Sequence, residues 1–264
     1  MATRFEGKLN QLQHKLPDGL LVDAAWLEDR GYSSALRSQY VRAGWLHSPA
    51  RRVYRRSQSQ LTWEQVVISL QYLMDLPVTV GGRTALEELG YAHYLSAQMR
   101  EVHLYGPTRA PTWLTDLPLD IDFQWHNSLR LFPGDADAPP EPRPVMYNAA
   151  GMSLPIRYSS KERALLELLD ELPHRESFHQ VDILMEGMTD LSPRRLQTLL
   201  EACASVKVKR LFFFFADRHR HAWRSRLDME RVDLGAGKRV LVKGGKLDPT
   251  YQITVPSDLV GERP

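Results

Sequence analysis

Residues 33–56 read SSALRSQYVRAGWLHSPARRVYRR, and this stretch decides how the N-terminal part of the chain folds. It holds six arginines (Arg37, Arg42, Arg51, Arg52, Arg55, Arg56) and no acid. Ser33 or Ser34 is placed to cap a helix running to about Ala43, and Gly44 follows where a left-handed residue ends one. Leu36 and Tyr40, four apart, face the core, while Ser34, Arg37, Ser38 and Val41 share another face with Arg42 beside it. Small hydroxyls let a helix lie deep in a groove, and arginine reaches phosphate oxygens or guanine edges. Trp45-Leu46-His47, a turn near Ser48-Pro49-Ala50, and Val53-Tyr54 then read as a short hairpin that carries Arg51, Arg52, Arg55 and Arg56 towards a sugar–phosphate backbone.

Upstream, Phe5, Leu9, Leu12 and Leu16 form one stripe of an amphipathic helix that Pro17-Asp18-Gly19 ends. Asp23 caps a short helix through Arg30, with Glu28 and Asp29 expected to be exposed, and Gly31 supplies the break. Two short helices about a glycine turn, followed by a basic hairpin, predict a winged helix-turn-helix domain over residues 1–92. Its expected contacts with duplex DNA are Ser33, Ser34, Arg37, Ser38, Gln39, Arg42, Arg51, Arg52, Arg55 and Arg56. RNA is disfavoured, since no aromatic platform for splayed bases is visible.

The charge balance supports this division. Residues 1–60 contain ten Lys/Arg and five Asp/Glu, a net of +5, whereas the remaining 204 residues sum to −3. The overall +2 of the 264-residue chain conceals that asymmetry. A hydrophobic fraction of 43% excludes global disorder. One cysteine, Cys203, excludes an intrachain disulfide and a Cys-based zinc site, and is read as a buried structural thiol. No signal-peptide core and no long apolar run are present, so a soluble, cytoplasmic protein is expected.

Beyond the basic block, Leu61 to Leu76 reads as a helix that Thr62 and Gln65 cap and Pro77 ends. Val78 to Val80 reads as a strand, Thr84 to Leu89 as a helix stopped by Gly90, and a domain boundary is expected near Ala92. Residues 93–264 are expected to form a larger mixed α/β domain, making the chain α+β. Strands are predicted at Glu101–Tyr105, Leu119–Trp125 and Leu154–Tyr158, and a surface loop at Pro133–Pro144. Ser159-x-x-Glu162 matches a capping box before a leucine-rich helix. Helices at Phe178–Met188, Pro193–Ala204 and Val206–Ala216 follow, the last carrying Phe212–Phe215 as a buried element. Lys238–Val255 reads as a hairpin looping at Gly244-Gly245.

No cofactor motif and no metal site is expected: His219 and His221 sit among arginines that repel a cation, and Walker and dinucleotide-binding glycine loops are absent. Two alternatives stay open on the residues alone. Gly106-Pro107 followed by Asp120-Ile-Asp122-Phe123 approximates a Mg²⁺-dependent nucleotidyltransferase, in which Asp120 and Asp122 would hold the metal. A winged helix can also serve as a protein-docking adaptor.

Taken in order, Gly31-Tyr32-Ser33, Gly44-Trp45-Leu46, Val53-Tyr54-Arg55, Val208-Lys-Arg-Leu-Phe212, Trp223 and Gly237-Lys-Arg-Val240 through Lys243-Gly-Gly-Lys-Leu-Asp248 to Tyr251-Gln-Ile-Thr-Val-Pro256 resemble the AbiEi family over nearly the whole chain. These are antitoxin-type transcriptional regulators of bacterial type IV toxin–antitoxin systems, which act in abortive infection and phage defence. The resemblance implies an N-terminal domain that represses its own operon at operator inverted repeats. It implies a C-terminal antitoxin domain that counteracts a nucleotidyltransferase-like toxin, with or without a stable complex, and a chain that is not an enzyme. Candidate antitoxin-surface residues are Arg194, Arg195, Lys207, Lys209, Arg210, Arg218 and Arg220. Such proteins often carry Gly before the Val-Tyr pair, where Arg52 stands here.

Overall fold

Leu12 and Leu16, fully buried on one stripe, set the face on which helix α1 (Ala2–Lys15) packs, and the chain turns at Gly19 with φ +87°. The computed structural model describes residues 2–91, 100–134, 141–149 and 152–260. Strand β1 (Leu21–Asp23) runs into α2 (Ala24–Asp29), whose N-cap Asp23 accepts from the Trp26 amide at 2.8 Å. Gly31 (φ +79°) makes the turn to α3 (Ser34–Arg42), capped by Ser33. Gly44 (φ +75°) ends α3, so the glycines fall where only a residue without a side chain avoids strain.

Strand β2 (Val53–Arg55) pairs antiparallel with β1, Val22 opposite Tyr54, and His47 makes only an isolated bridge to Arg55. The hairpin expected between Trp45 and Tyr54 is thus reduced to that one bridge, with reciprocal His47–Arg55 backbone bonds of 2.7 and 2.9 Å. Leu21–Asp23 is the main partner, a three-residue strand too short for its alternation to be readable.

Thr62 and Gln65 form the expected capping box on α4 (Trp63–Ile68), which continues as a wider π-type turn over Ser69–Leu73. Strands β3 (Thr79–Val80), β4 (Glu101–Gly106), β5 (Asp122–Asn127), β6 (Glu141–Ala149) and β7 (Met152–Tyr158) build a mixed sheet in the order β5-β4-β3-β7-β6. Val80 sits opposite Leu104 in an antiparallel pair and opposite Tyr158 in a parallel one. Buried Gln71 ties this sheet to the π-type turn, donating to the Val78 and Arg157 carbonyls at 3.0 and 3.1 Å and accepting from the Arg157 amide at 2.9 Å. At Gly106 a Cβ would lie 3.2 Å from the Pro77 carbonyl oxygen and 3.3 Å from the Trp125 ring. That close approach accounts for the glycine without any phosphate-binding role.

The predicted Pro133–Pro144 loop is overturned at its end, since Glu141–Pro144 opens β6. β6 lies at the edge of the sheet, the position in which a strand tolerates proline. Residues 135–140 of that loop, like the expected boundary near Ala92, lie outside the described residues.

Helix α5 (Gly82–Glu88) packs on α6 (Lys161–Asp170), followed by α7 (Phe178–Gly187), α8 (Pro193–Ala202) and α9 (Val206–His219). Phe212 to Phe215 are buried around the whole circumference of α9, against Phe178, Trp223 and Tyr251. The α6 cap is Ser160, one residue later than expected. Glu162, fully buried, holds the start of α8 instead, accepting from the Ser192 amide at 2.8 Å and from Arg195 at 3.0 Å. Strands β8 (Lys246–Asp248) and β9 (Ile253–Val255) form the C-terminal hairpin. Its turn is made by Asp248, which accepts from the Thr250 and Tyr251 amides, and not by Gly244-Gly245; the limb at 238–243 joins through the bridge of Arg239 to Ile253 and through the Leu241 and Val242 amides, which donate to the Thr254 hydroxyl.

By contact density the chain divides into Met1–Val80 with Met99–Trp125 and Pro142–Tyr158, and Gly81–Gln98 with His126–Glu141 and Ser159–Pro264. Among the described residues nine α-helices and three sheets make an α+β chain, and no helix is long and apolar enough to cross a membrane.

Fully buried Glu167 gathers three donors in the second unit. It takes the Gly82 amide at 2.9 Å, the Ser159 hydroxyl at 3.1 Å and Arg163 at 2.8 Å. Removing the carboxylate leaves a buried guanidinium and a buried amide without it, so Glu167→Ala is expected to cost about 3–5 kcal/mol in urea unfolding. Glu167→Gln, which keeps an acceptor, should lose less.

Candidate functional site

The basic block separates into an inner and an outer set. Arg37 is only 5% exposed: it donates to Glu28 at 2.7 Å and to the Tyr32 carbonyl at 2.8 Å, with Tyr54 near its guanidinium. Burial penalises its charge, but the bonds to Glu28 and Tyr54 outweigh that and raise its pKa above the usual arginine value. Arg55, 3% exposed, donates to the Ser59 carbonyl at 3.0 Å and the Gly19 carbonyl at 3.3 Å. Arg56, half-buried, donates to the Gln13 and Leu16 carbonyls, both at 3.0 Å, at the negative end of α1. These three bind the fold together, which corrects their expected outward placement. Glu28, expected to be merely exposed, is the anchor of Arg37, and its position across the Gly31 turn gave no periodic signal.

The outer set is Ser34, Ser38, Gln39 and Arg42 on α3, with Arg51 and Arg52 before β2, all exposed. Ser33 is exposed too, but its hydroxyl is engaged as the cap, accepting from the Leu36 amide. Among the described residues Arg42 makes only a long 3.4 Å bond, to the Ser38 carbonyl. Trp45, expected in the hairpin, is 44% exposed and edge-on to buried Tyr40 at 5.4 Å, at the end of the same helix. Lys8 donates to the Gly31 carbonyl at 2.6 Å and Tyr32 to the Lys8 carbonyl at 3.0 Å, so α1 braces the turn between α2 and α3. Trp26 reaches the Leu73 carbonyl at 2.7 Å, and the Ser69 hydroxyl accepts from the Leu21 amide at 2.9 Å.

Arg52 has φ +65°, the left-handed backbone that favours glycine, and its carbonyl accepts from the Ala24 amide at 2.8 Å. The absence of the frequent glycine leaves the turn intact and keeps an extra exposed cation in it.

The C-terminal candidates do not assemble into one face. Only Arg194 and Arg220 are exposed. Arg195 is committed to Glu162, Lys207 to Asp170 at 3.1 Å and Arg218 to Asp182 at 3.0 Å, while Lys209 and Arg210 are buried. His219 also meets Asp182, at 2.9 Å. Asp182 is half-buried; burial raises its pKa, and the bonds from His219 and Arg218 more than reverse that, leaving it below the ordinary value of 3.8. Cys203 is buried, and burial pushes its thiol up, as expected of an inert core cysteine. Asp120 and Asp122 are exposed, Asp122 at the start of edge strand β5. Among the described residues no group of three His, Cys, Asp or Glu side chains is placed to hold a metal, and nothing gathers a third carboxylate to that pair.

Two family models match. "Transcriptional regulator, AbiEi antitoxin N-terminal domain" covers residues 5–97, and "Transcriptional regulator, AbiEi antitoxin, Type IV TA system" covers residues 99–256. That defines the class as an antitoxin-type transcriptional regulator, which is not an enzyme class. The chain belongs to the AbiEi family of type IV toxin–antitoxin systems. In fold it is similar to the RV2827C protein from Mycobacterium tuberculosis, at 14% identity and a TM-score of 0.55, over 93% of this chain and 88% of that one. No curated protein matches in sequence.

Two outcomes follow from this geometry. Arg52→Gly removes the left-handed strain at a small cost in unfolded-chain entropy, and is expected to raise stability by about 0.5–1 kcal/mol in urea unfolding. For Asp182, whose folded pKa is depressed, the stabilisation is complete above the unfolded value near 3.8 and is lost as pH falls through the lower folded value. Acid unfolding monitored by circular dichroism should therefore be less steep below pH ~4 in Asp182→Asn than in the wild type.

Proposed function

We propose that residues 1–92 form a winged helix-turn-helix domain that binds operator inverted repeats as a cytoplasmic autorepressor, and that residues 93–264 form the antitoxin domain that counteracts a nucleotidyltransferase-like toxin. The single observation that carries the DNA-binding reading is the outer set. Ser34, Ser38, Gln39 and Arg42 lie exposed on α3, and Arg51 and Arg52 lie exposed before β2, while Arg37 and Arg55 are consumed inside. Short polar side chains on a braced helix suit close entry into a major groove, with Gln39 and Arg42 able to address base edges. Arg51 and Arg52, on the turn after that helix, suit the sugar–phosphate backbone. The order α1, β1, α2, α3, β2, with β2 returning to pair β1, supports the winged reading. The antitoxin role rests on family membership.

The test is titration of the full chain against duplex DNA from its own promoter. Gln39→Ala or Arg42→Ala is expected to weaken operator binding by about 1–3 kcal/mol where the side chain reads a base. Arg51→Ala should weaken binding to every duplex alike and lower the salt slope by about 1. Unchanged affinity and slope in all three would overturn the DNA reading in favour of a protein-docking module. Growth of cells expressing the neighbouring toxin tests the second role: co-expression of this chain should restore growth.

A further inference from the structure

A cleft of about 500 Å³ in the first unit brings opposite charges together without pairing them. One wall is the turn before β2, with Arg51 and Arg52, and the start of α2, with Asp23; the other is the segment Thr112–Asp116. All of these residues belong to the same compact unit. Both walls are held by backbone bonds. The Arg52 carbonyl accepts from the Ala24 amide at 2.8 Å, and the Leu114 and Asp116 amides donate to the Pro111 and Trp113 carbonyls, each at 3.1 Å.

The side chains that line the cleft are left without partners. Arg51, Arg52, Thr112 and Asp116 are exposed, and among the described residues none of them has a side-chain hydrogen bond or an ion pair. Asp23 is already engaged as the cap of α2. Trp113 is 7% exposed, yet its indole N–H makes no hydrogen bond among the described residues. Trp26, Trp125 and Trp223, by contrast, each give theirs to a backbone carbonyl. A nearly covered indole N–H ordinarily finds an acceptor, and leaving it unpaired costs stability.

These features define what fits. Two adjacent guanidiniums match one phosphate monoester, which carries about −1.5 to −2 charges near neutral pH. A longer phosphate chain would bring surplus negative charge against Asp116 and Asp23. The carboxylate of Asp116 needs a donor, which the exocyclic amino group of a nucleobase supplies. With so little of its ring open, Trp113 serves as a donor to a ring nitrogen or sugar oxygen and not as a stacking platform. The volume is that of a pocket for a small organic ligand and far exceeds a bare anion.

We propose that this cleft binds a nucleoside monophosphate, with the phosphate on Arg51 and Arg52 and the base amino group on Asp116. Because the same two arginines are the backbone contacts of the proposed operator surface, a bound nucleotide displaces DNA from them. That consequence rests on the operator reading; the binding site itself does not.

The test is isothermal titration calorimetry of the full chain with AMP, GMP, CMP, UMP and inorganic phosphate. At least one of the three nucleotides whose base carries an amino group is expected to bind about tenfold or more tightly than UMP and than phosphate. Asp116→Asn should weaken that nucleotide about tenfold and remove its advantage over UMP, and Trp113→Phe, which deletes only the N–H donor, should weaken it about two- to tenfold. Arg51→Gln/Arg52→Gln should abolish binding of every nucleotide. Absence of binding up to about 1 mM would overturn the proposal. So would phosphate binding as tightly as the nucleotides, or affinities unchanged in both Asp116→Asn and Trp113→Phe. If Trp113→Phe does not fold, Asp116→Asn, at an exposed position, decides alone. Titration of promoter DNA with and without the nucleotide checks the consequence: the apparent Kd should rise with nucleotide, and an unchanged value would overturn the displacement. A chain that binds no promoter DNA at all defeats the operator reading and leaves the calorimetry to decide the site.

Discussion

The buried guanidinium of Arg37 is the interaction on which the N-terminal elements depend. An arginine cannot shed its proton, so once inside it must find acceptors for its N–H groups or cost several kcal/mol. Glu28, at the end of α2, and the Tyr32 carbonyl, in the turn, supply them, and this binds α3 to α2 across Gly31. Arg55 and Arg56 repeat the device with carbonyl acceptors, joining β2 to the loop after α1 and to the end of α1. Half of the six-arginine block is thus internal bracing, and the outer cations stand on a helix and turn that this bracing holds in place.

The second unit uses the same chemistry with the signs distributed differently. Glu162 and Glu167, both fully buried, gather helix-end amides and arginines on α6, and Asp182 collects Arg218 and His219. A chain that looks acidic in this part therefore consumes many of its charges in pairs. Arg210 differs: among the described residues its guanidinium donates to the backbone carbonyls of Leu234, Gly235, Gly237 and Gln252 and to no carboxylate.

The elements that were legible in the sequence are those with a local cause. Asp23 and Ser33 as caps, Gly31 and Gly44 as left-handed breaks, the Thr62–Gln65 box and the apolar girdle of α9 all follow from backbone chemistry within a few residues. What failed was non-local. The partner of β2 lies about thirty residues upstream. The capping register at Ser159–Ser160 turns on Glu162 being claimed by Ser192. The turn of the C-terminal hairpin turns on Asp248, while Gly245 serves close packing against β9 and Gly244 supplies a left-handed residue. At the candidate site, spacing placed Arg37 among the outward residues because a helical wheel carries no information about a carboxylate on the preceding helix.

By itself the sequence determined where helices start and stop, that positive charge is concentrated without acids in residues 33–56, and the ordered set of motifs that marks the AbiEi family. These are properties of the local chain and of composition, and folding does not alter them. Only the tertiary structure decided which cations face solvent. A guanidinium is long enough to turn inward or outward at nearly the same backbone position, and the choice rests on whether acceptors from a distant segment meet it. Glu28 and Tyr32 did so for Arg37, and four carbonyls did so for Arg210; no acceptor meets Arg51, Lys238 or Lys243 among the described residues.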